Sequence, residues 1–432
     1  MNLSGLLLKQ SIWRSLNYIS AFILNICISR VFSAEGSGIY FYIINYFSFL
    51  VLLTSLSLES GIGYFIPSGK INNVSIAFLA ILWIAVVGFL CFWGFPWWSG
   101  WIETDWPQET LRYRATIFII GSMLSAYFIA ILNANFRYGF SNLIIFFTNL
   151  LLSFLFVLSY FFNSFSTDTL TRFLFLNYLV QGIVIAVYFL FSNTISFSYK
   201  NMRLAAYKQL LRYSLFAFII NIISFLLSRF DYFLVRRFCR ESDLGNYILA
   251  NKMAQLFYLF PAILASVFFN YTAKGGENGT AHSVARTSRI LSLGYVALFL
   301  ILFACNELFT LVFGESFDKT HSLVVLMMPG ILLFGIGHLL TAYLSGKNRL
   351  SAIFISTLIA LIALIILDII FIPLYGVYAA SVVTSIAYIL LFFLLAYFLR
   401  KYDDISFVKL LILNKDDWQY VKDLFTRLIS KK

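Results

Sequence analysis

The chain alternates long apolar runs with short polar breaks from one end to the other. Runs of about 20 mainly apolar residues are long enough to cross the hydrocarbon core of a bilayer as α-helices. Breaks at polar, Gly-containing or Pro-containing segments predict twelve spans and therefore an all-α polytopic membrane protein. The predicted spans are 11–32, 38–62, 74–95, 115–132, 142–162, 173–191, 210–234, 246–269, 290–313, 323–344, 351–372 and 377–399.

Composition agrees with this pattern. Hydrophobic residues make up 61% of the chain and charged residues 12%, about half the charged share of a soluble domain. The net charge of +12 comes from cations scattered among short loops, which favours retention of those loops on the cytoplasmic side over nucleic-acid binding. The acidic, Trp-rich segment "WWSGWIETDWPQET" falls on the opposite side. We therefore predict that both termini are inside (N-in/C-in).

Two stretches of the chain resemble each other. "KQSIWRSLNYISAFILNICISR" (9–30) and "KQLLRYSLFAFIINIISFLLSR" (208–229) align at an offset of 199 residues. With eight extra residues in the second copy, Gly38 and Tyr40 meet Gly245 and Tyr247. The repeat predicts an N-terminal six-helix lobe (1–199) and a C-terminal six-helix lobe (200–400), parallel and pseudo-symmetric, which is a transporter plan. Residues 401–432 are predicted to be a basic amphipathic cytoplasmic tail, or a partly ordered basic tail.

Three further segments carry a family resemblance. "SRVFSAEGSGIYFYIINYFSFLVLLTSLSLESGIGYFIPSG", "LFTLVFGESFDKTHSLVVLMMPG" and "LDIIFIPLYGVYAASVVTSIAY" resemble the Wzx-type polysaccharide repeat-unit (O-antigen) flippases of the multidrug/oligosaccharidyl-lipid/polysaccharide (MOP) exporter superfamily. The resemblance implies two lobes that alternate between inward-open and outward-open states in the bacterial inner membrane. The implied cargo is a polyprenyl-diphosphate-linked oligosaccharide, moved from the inner to the outer leaflet for O-antigen, capsule or another glycan. The polysaccharide polymerase machinery is a further expected partner.

A diphosphate and its sugars need a hydrated, partly cationic cavity, and charged side chains in a membrane usually face such cavities. Polar residues share one helical face in three spans. These stripes contain Arg14, Asn25 and Ser29 in the first span, Asn45, Ser48, Ser55 and Glu59 in the second, and Asn221, Ser224, Ser228 and Asp231 in the seventh. The repeat superposes Asn45 on Lys252, which lies about two turns inside the eighth span.

The candidate substrate-binding residues are the cations and amides of these spans. Each also has a structural explanation: interface anchoring for the arginines, and helix packing for the asparagines. Lys252 is too deep for simple anchoring, so we expect it to contact the diphosphate. The full set is Lys252, Arg14, Arg30, Arg229, Asn25 and Asn221.

Glu59 and Asp231 are candidates for coupling to a proton or sodium ion. A coupling carboxylate must gain and lose a cation as the access of the cavity changes. Asp231 stands two residues from Arg229, so a structural ion pair is the alternative there. Asp368 is read as a structural residue near a helix end.

Enzyme motifs are absent from the sequence: it contains no GxxxxGK[ST], HExxH or GxSxG. We therefore predict a transporter without cofactor or metal, and no nucleic-acid partner. One alternative is a cation-coupled small-molecule or drug antiporter of the same superfamily. The other is a membrane-embedded glycan polymerase or glycosyltransferase, which would usually need a long extramembrane loop.

Overall fold

The computed structural model describes the chain except residues 1–2, 67–70, 103, 105, 136, 138, 193–203, 259–260, 263, 266–267, 269–271, 273–279, 415–416 and 418–432. The described elements are helices joined by short connections, with 3₁₀ turns at Ser99–Trp101 and Glu315–Phe317. The helices are α1 (Leu3–Ser55), α2 (Leu58–Phe65), α3 (Asn73–Trp93), α4 (Phe95–Trp98), α5 (Gln108–Ala134), α6 (Gly139–Phe162), α7 (Thr167–Ser192), α8 (Leu204–Arg229), α9 (Asp231–Phe238), α10 (Glu241–Phe257), α11 (Thr280–Ala304), α12 (Asn306–Phe313), α13 (Thr320–Gly346), α14 (Leu350–Asp403) and α15 (Val408–Leu411).

Within these described ranges, nine helices are long and apolar enough to cross a membrane. Helix α1 turns at Ser33 (φ 60°) and covers the first predicted span and most of the second, and α14 turns at Gly376 (φ 65°) and covers the last two. A straight helix of 54 residues would be about 80 Å long, more than twice the thickness of the hydrocarbon core. The eighth predicted span overlaps α10, which begins before it. The predicted tail helix lies largely outside the described residues.

The chain forms two compact units, Met1–Phe225 (unit 1) and Leu226–Lys432 (unit 2). The boundary falls inside α8, because the first part of that helix packs against α2. Leu210 and Ser214 lie directly against Gly61, and the rings of Tyr64 and Tyr213 stack with centroids 5.1 Å apart. The lobe boundary near residue 200 stays a prediction.

Small residues allow close helix packing in each unit. In unit 1, α5 and α7 meet at Gly121 and Gly182, where an added Cβ atom would overlap the backbone of the other helix. In unit 2, α13 and α14 meet at Gly330 and Ser385, where the Gly330 N–H donates a 2.8 Å hydrogen bond to the Ser385 hydroxyl. Such small-residue contacts are a common way to associate helices in lipid, where apolar surfaces gain nothing by meeting each other.

The second predicted span is interrupted between α1 and α2, where Ser57 has a left-handed conformation (φ 50°). An interruption frees backbone carbonyls, which must find donors inside a membrane. The indole nitrogen of Trp83 donates to the Thr54 carbonyl (2.9 Å), and the hydroxyl of Tyr127 donates to the Ser55 carbonyl (3.0 Å). Aromatic side chains from α3 and α5 therefore supply hydrogen-bond donors to the carbonyls that the break leaves free.

The eighth predicted span has a similar interruption. Helix α10 ends at Phe257, and Pro261 lacks the N–H that would bond to the Phe257 carbonyl. The hydroxyl of Tyr295 in α11 donates a 2.9 Å hydrogen bond to that carbonyl instead. Gly335 leaves the space for this hydroxyl, because an added Cβ atom would overlap it.

Candidate functional site

Two predicted substrate-binding cations lie together in unit 2. Arg229 ends α8 and Lys252 lies in α10; both side chains are half-buried, and Arg229 acts electrostatically on Lys252. The Arg229 guanidinium also lies 5.9 Å from the ring centre of Tyr232. Two like charges close together in an apolar environment repel each other, and an anion bound between them would relieve the repulsion. The pair is therefore suited to bind an anionic group.

Asp231 begins α9 and is 1% exposed. Its carboxylate accepts hydrogen bonds from the Tyr247 hydroxyl, from the Thr384 hydroxyl (3.1 Å) and from the Tyr232 N–H (2.9 Å). Arg229 also acts on it electrostatically. The predicted coupling residue thus sits in a network that joins the seventh, eighth and twelfth spans.

Asp368 in α14 is the second carboxylate of this site. It is fully buried, and neither carboxylate oxygen has a hydrogen-bond partner among the described residues. Asp368 and Asp231 interact electrostatically. Burying an unpaired carboxylate is very unfavourable, so the pair of acids is suited to hold a proton or a small cation.

A small cavity of about 10 Å³ adjoins this network in unit 2. Thr384, Ser228, Asn251 and Gln255 contribute to its lining. This volume is about the minimum that holds one water molecule. Hydroxyl and amide oxygens beside a carboxylate are also suitable ligands for a hard monovalent cation.

The repeat-related positions in unit 1 are aromatic. The offset of 199 residues places Asp231 opposite Phe32, and the offset of 207 residues places Tyr247 opposite Tyr40. Phe32 and Tyr40 pack with ring centroids 6.4 Å apart, and the Tyr40 hydroxyl hydrogen-bonds with Tyr178. The contact is thus present in both units, but only the unit 2 version contains a carboxylate.

The other predicted residues lie in unit 1. Asn25 and Arg30 are half-buried in α1, and each has an interaction partner there. Arg14 also lies in α1, but its side chain is outside the described residues. The roles of these three residues in substrate binding stay predictions.

Asn221 and Glu59 both lie at the break between α1 and α2. The Asn221 amide donates a 3.0 Å hydrogen bond to the Ser57 hydroxyl. Glu59 is in the first turn of α2, where the helix dipole favours a negative charge. Its Oε2 atom is buried without a partner in the described part of the chain, and it interacts electrostatically with Tyr127. The structure therefore places Asn221 against the break and Glu59 at the start of the helix that follows it.

Solved structures share the fold of this chain. The lipid II flippase MurJ in an inward closed conformation has a TM-score of 0.72 at 17% identity, covering 91% of this chain and 87% of that one. An inward-facing multidrug resistance MATE transporter of the MOP superfamily has a TM-score of 0.66 at 14% identity, covering 89% and 94%. The fold is that of the MOP superfamily.

A curated relative agrees with this assignment. The probable low-salt glycan biosynthesis flippase Agl15 of Haloferax volcanii is 24% identical over 234 residues, which is 53% of this chain and 49% of the relative. The match thus spans about half the length of that relative. No protein-family model matches the chain. The resemblance to MOP flippases that the sequence predicted is confirmed, as is the all-α fold of the MOP transporters with two pseudo-symmetric halves.

Asp368 is a residue of this candidate site that the sequence interpretation assigned to structure alone. The sequence did contain a sign of a functional role, because Asp368 is a lone carboxylate in the apolar run "LIALIILDIIFIPLYG". An ionisable residue inside a span is a functional candidate by default.

A buried amide network in unit 1 was also missed. The Gln181 amide donates to Thr148 (2.8 Å) and to Asn149 (3.1 Å), and Asn177 donates to Asn149 (3.2 Å). The Asn149 amide in turn donates to Ser20 (3.4 Å). Hydrogen bonds of this kind hold helices together in lipid. The network therefore links α1, α6 and α7.

Proposed function

We propose that this MOP-fold protein flips a polyprenyl-diphosphate-linked oligosaccharide from the cytoplasmic to the outer leaflet, by alternating access. The cargo is a repeat unit of O-antigen or of another surface polysaccharide, and the membrane is the bacterial inner membrane. The fold supports transport, and the names of the Agl15 relative and of MurJ support a lipid-linked cargo. The polysaccharide polymerase machinery is the partner that would receive the flipped unit.

The observation that carries this proposal is the proximity of Arg229 and Lys252. A transporter of neutral or cationic compounds gains nothing from two mutually repelling cations in its membrane-spanning part. A diphosphate carries the complementary charge, and hydrogen bonds from cations to phosphate are among the strong ones. Arg229 and Lys252 are therefore the diphosphate-binding residues of the proposal. Arg14, Arg30, Asn25 and Asn221 remain proposed contacts to the rest of the cargo.

We further propose that transport is coupled to a proton or a sodium ion at Asp231 and Asp368. Arg229 interacts with both Asp231 and Lys252. A cation bound at the two carboxylates neutralises Asp231 and leaves the charge of Arg229 available to the diphosphate. Occupancy of the carboxylate pair and affinity for cargo are then linked through a single side chain. Glu59 remains a second proposed coupling residue in unit 1.

The test uses purified protein in proteoliposomes with a lipid-linked oligosaccharide, measuring how much of the lipid becomes accessible to an enzyme on the far side. Lys252→Ala should lower the initial rate roughly 10- to 100-fold, because each charged hydrogen bond contributes about 1.5–3 kcal/mol. Lys252→Arg should restore part of the rate. Lys208→Ala, which removes an exposed cation of α8, is the matched control.

A normal rate for Lys252→Ala at equal protein levels would exclude Lys252 from the site. The second candidate function, a cation-coupled antiporter of small molecules, is favoured by the fold similarity to MATE transporters and by the carboxylate pair. Uptake of cationic dyes that persists in Lys252→Ala and ceases in Asp231→Asn would support it over the flippase.

A further inference from the structure

Unit 1 contains a cavity of about 350 Å³ beside the break between α1 and α2. This is roughly twice the volume of an engineered apolar cavity of about 150 Å³ that binds benzene. The walls come from the break itself and from α2, α3, α5 and α8. They consist of leucine, isoleucine and alanine side chains together with the rings of Trp83, Tyr127 and Tyr207.

The polar atoms of these three rings are already engaged. Trp83 donates to the Thr54 carbonyl and Tyr127 to the Ser55 carbonyl, and the Tyr207 hydroxyl hydrogen-bonds with the side chain of Ser75. A buried water molecule typically needs two to four polar partners. The cavity offers none of these three groups for that purpose, so its preferred occupant is apolar.

The described lining of the cavity offers no cation to bind a phosphate group. None of the lining residues in the described part of the chain is charged. The carboxylate of Glu59 interacts electrostatically with the wall residue Tyr127 and would repel an anion. The cavity therefore suits the lipid tail of a substrate and not its diphosphate.

A tail has an apolar route into the cavity. Leu211 lines it and is 43% exposed, and Leu215, one turn further along the same helix, is 41% exposed. Ala80 forms part of the buried wall at 5% exposure. A hydrocarbon chain can thus enter the cavity along the exposed side chains of Leu215 and Leu211.

We propose that this cavity binds a segment of the isoprenoid chain of the lipid-linked substrate, an inference that rests on the proposed function. Fatty acyl chains surround the protein on all sides, so a retained chain must bind better than they do. An isoprenoid chain has a double bond and a methyl branch in every unit, and it loses less conformational entropy on binding than a saturated acyl chain. Because the walls include the residues that cap the break, tail binding acts directly on this bend.

The test measures photolabelling of the full-length protein in nanodiscs by a diazirine-bearing polyprenyl phosphate that carries no sugar. Ala80→Phe fills the cavity, and Leu211→Trp blocks its opening at a half-exposed position that tolerates a large ring. Val86→Phe is the matched control, because it adds the same ring at a 41% exposed position of α3 outside the cavity. Labelled peptides are located by mass spectrometry.

The expected result is labelling of peptides from α3 and α8, reduced at least fivefold in Ala80→Phe and Leu211→Trp and unchanged in Val86→Phe. Unlabelled polyprenyl phosphate should compete, whereas added phospholipid should not. Equal labelling by a diazirine-bearing phospholipid would overturn the proposal, since the cavity would then hold ordinary membrane lipid. Labelling that persists in both cavity variants would overturn it as well. Because the probe has no sugar, this result is independent of flipping: specific labelling without transport would contradict the proposed function and leave the cavity assignment intact.

Discussion

Arg289 in α11 donates two hydrogen bonds, of 2.5 and 2.9 Å, to the carboxylate of Asp417, which lies beyond the last span. Asp417 is fully buried, and a third hydrogen bond to it comes from the Asn414 N–H (2.9 Å). Arg289 also donates to the Lys409 carbonyl (2.6 Å). These hydrogen bonds therefore hold the segment after α14 against α11.

Loss of this ion pair should release the segment. Breaking a buried pair by removing one partner costs roughly 3–5 kcal/mol, so Asp417→Asn should accelerate amide hydrogen exchange in α15 by at least tenfold. Asp404→Asn, at an exposed position of the same segment, should leave exchange unchanged. Equal exchange in Asp417→Asn and wild type would show that the apolar contacts of the segment hold it without the pair.

The same pair predicts a pH dependence. The hydrogen bonds from Arg289 lower the pKa of Asp417 below its ordinary value, which is about 3.9 in an unfolded chain. A carboxyl with a lowered folded-state pKa contributes its stabilisation above the unfolded pKa and loses it as the pH falls through the folded value. Protection of α15 should thus be constant from about pH 5 to 8 and fall below about pH 4. Asp417→Asn should abolish that step.

The carboxylate pair of unit 2 predicts that an ion gradient stimulates flipping. In proteoliposomes, Asp231→Asn and Asp368→Asn should each remove the stimulation of flipping by an imposed ion gradient. A pH gradient and a sodium gradient, applied separately, identify the ion. Glu307→Gln, at an exposed position, is the control. Stimulation that survives in both Asp variants would show that neither carboxylate couples transport to the ion, and Glu59 would be the remaining candidate.

The capped carbonyl of α10 predicts a non-additive pair of substitutions. Tyr295→Phe removes the donor to the Phe257 carbonyl and should lower the free energy of unfolding by roughly 0.6–1.7 kcal/mol, the range for hydrogen bonds between helices in membranes. In a Pro261→Ala background the loss should be smaller, because the introduced alanine supplies an N–H to the same carbonyl. Denaturation in mixed detergents measures all three variants. Strict additivity would contradict this account of the break.

The helix contact at Gly330 predicts opposite effects for two glycines. Gly330→Ala forces a methyl group into the backbone of Ser385 and should destabilise the protein by about 1–3 kcal/mol. Gly294→Ala in α11 meets no atom within 4 Å and should be neutral or stabilising by up to about 1 kcal/mol. Thermal unfolding of the two variants checks the difference. Similar midpoints would mean that α13 and α14 separate easily at Gly330.

Apolar periodicity was sufficient to predict the spans, because the bilayer sets a fixed length for every segment. It did not reveal the breaks beside Ser57 and after Phe257. A break depends on distant donors such as Trp83 and Tyr295, and the spacing of residues along one span carries no information about these. Pro261 was the one local sign of an interruption.

The sequence pointed to part of the candidate site. The internal repeat pointed to Lys252, and the polar stripe of the seventh span pointed to Asp231. Asp368 was assigned a structural role because its position was judged from the span end, whereas its significance comes from the approach of Asp231 in space. That approach depends on how α9 packs against α14, which one-dimensional patterns do not specify.

Phe32 and Tyr40 in unit 1 occupy the repeat positions of Asp231 and Tyr247, so the carboxylate pair occurs once in the part of the chain that the structure describes. In the proposed coupling, one such pair carries one monovalent cation per cycle. At a membrane potential of 100 mV, that ion releases about 2.3 kcal/mol, enough to sustain roughly a 40-fold concentration ratio. A second pair in unit 1 would double the available free energy. Under the proposed coupling, the aromatic ring at the position of Asp231 in unit 1 therefore limits each cycle to one ion, and with it the gradient of cargo that the protein can maintain.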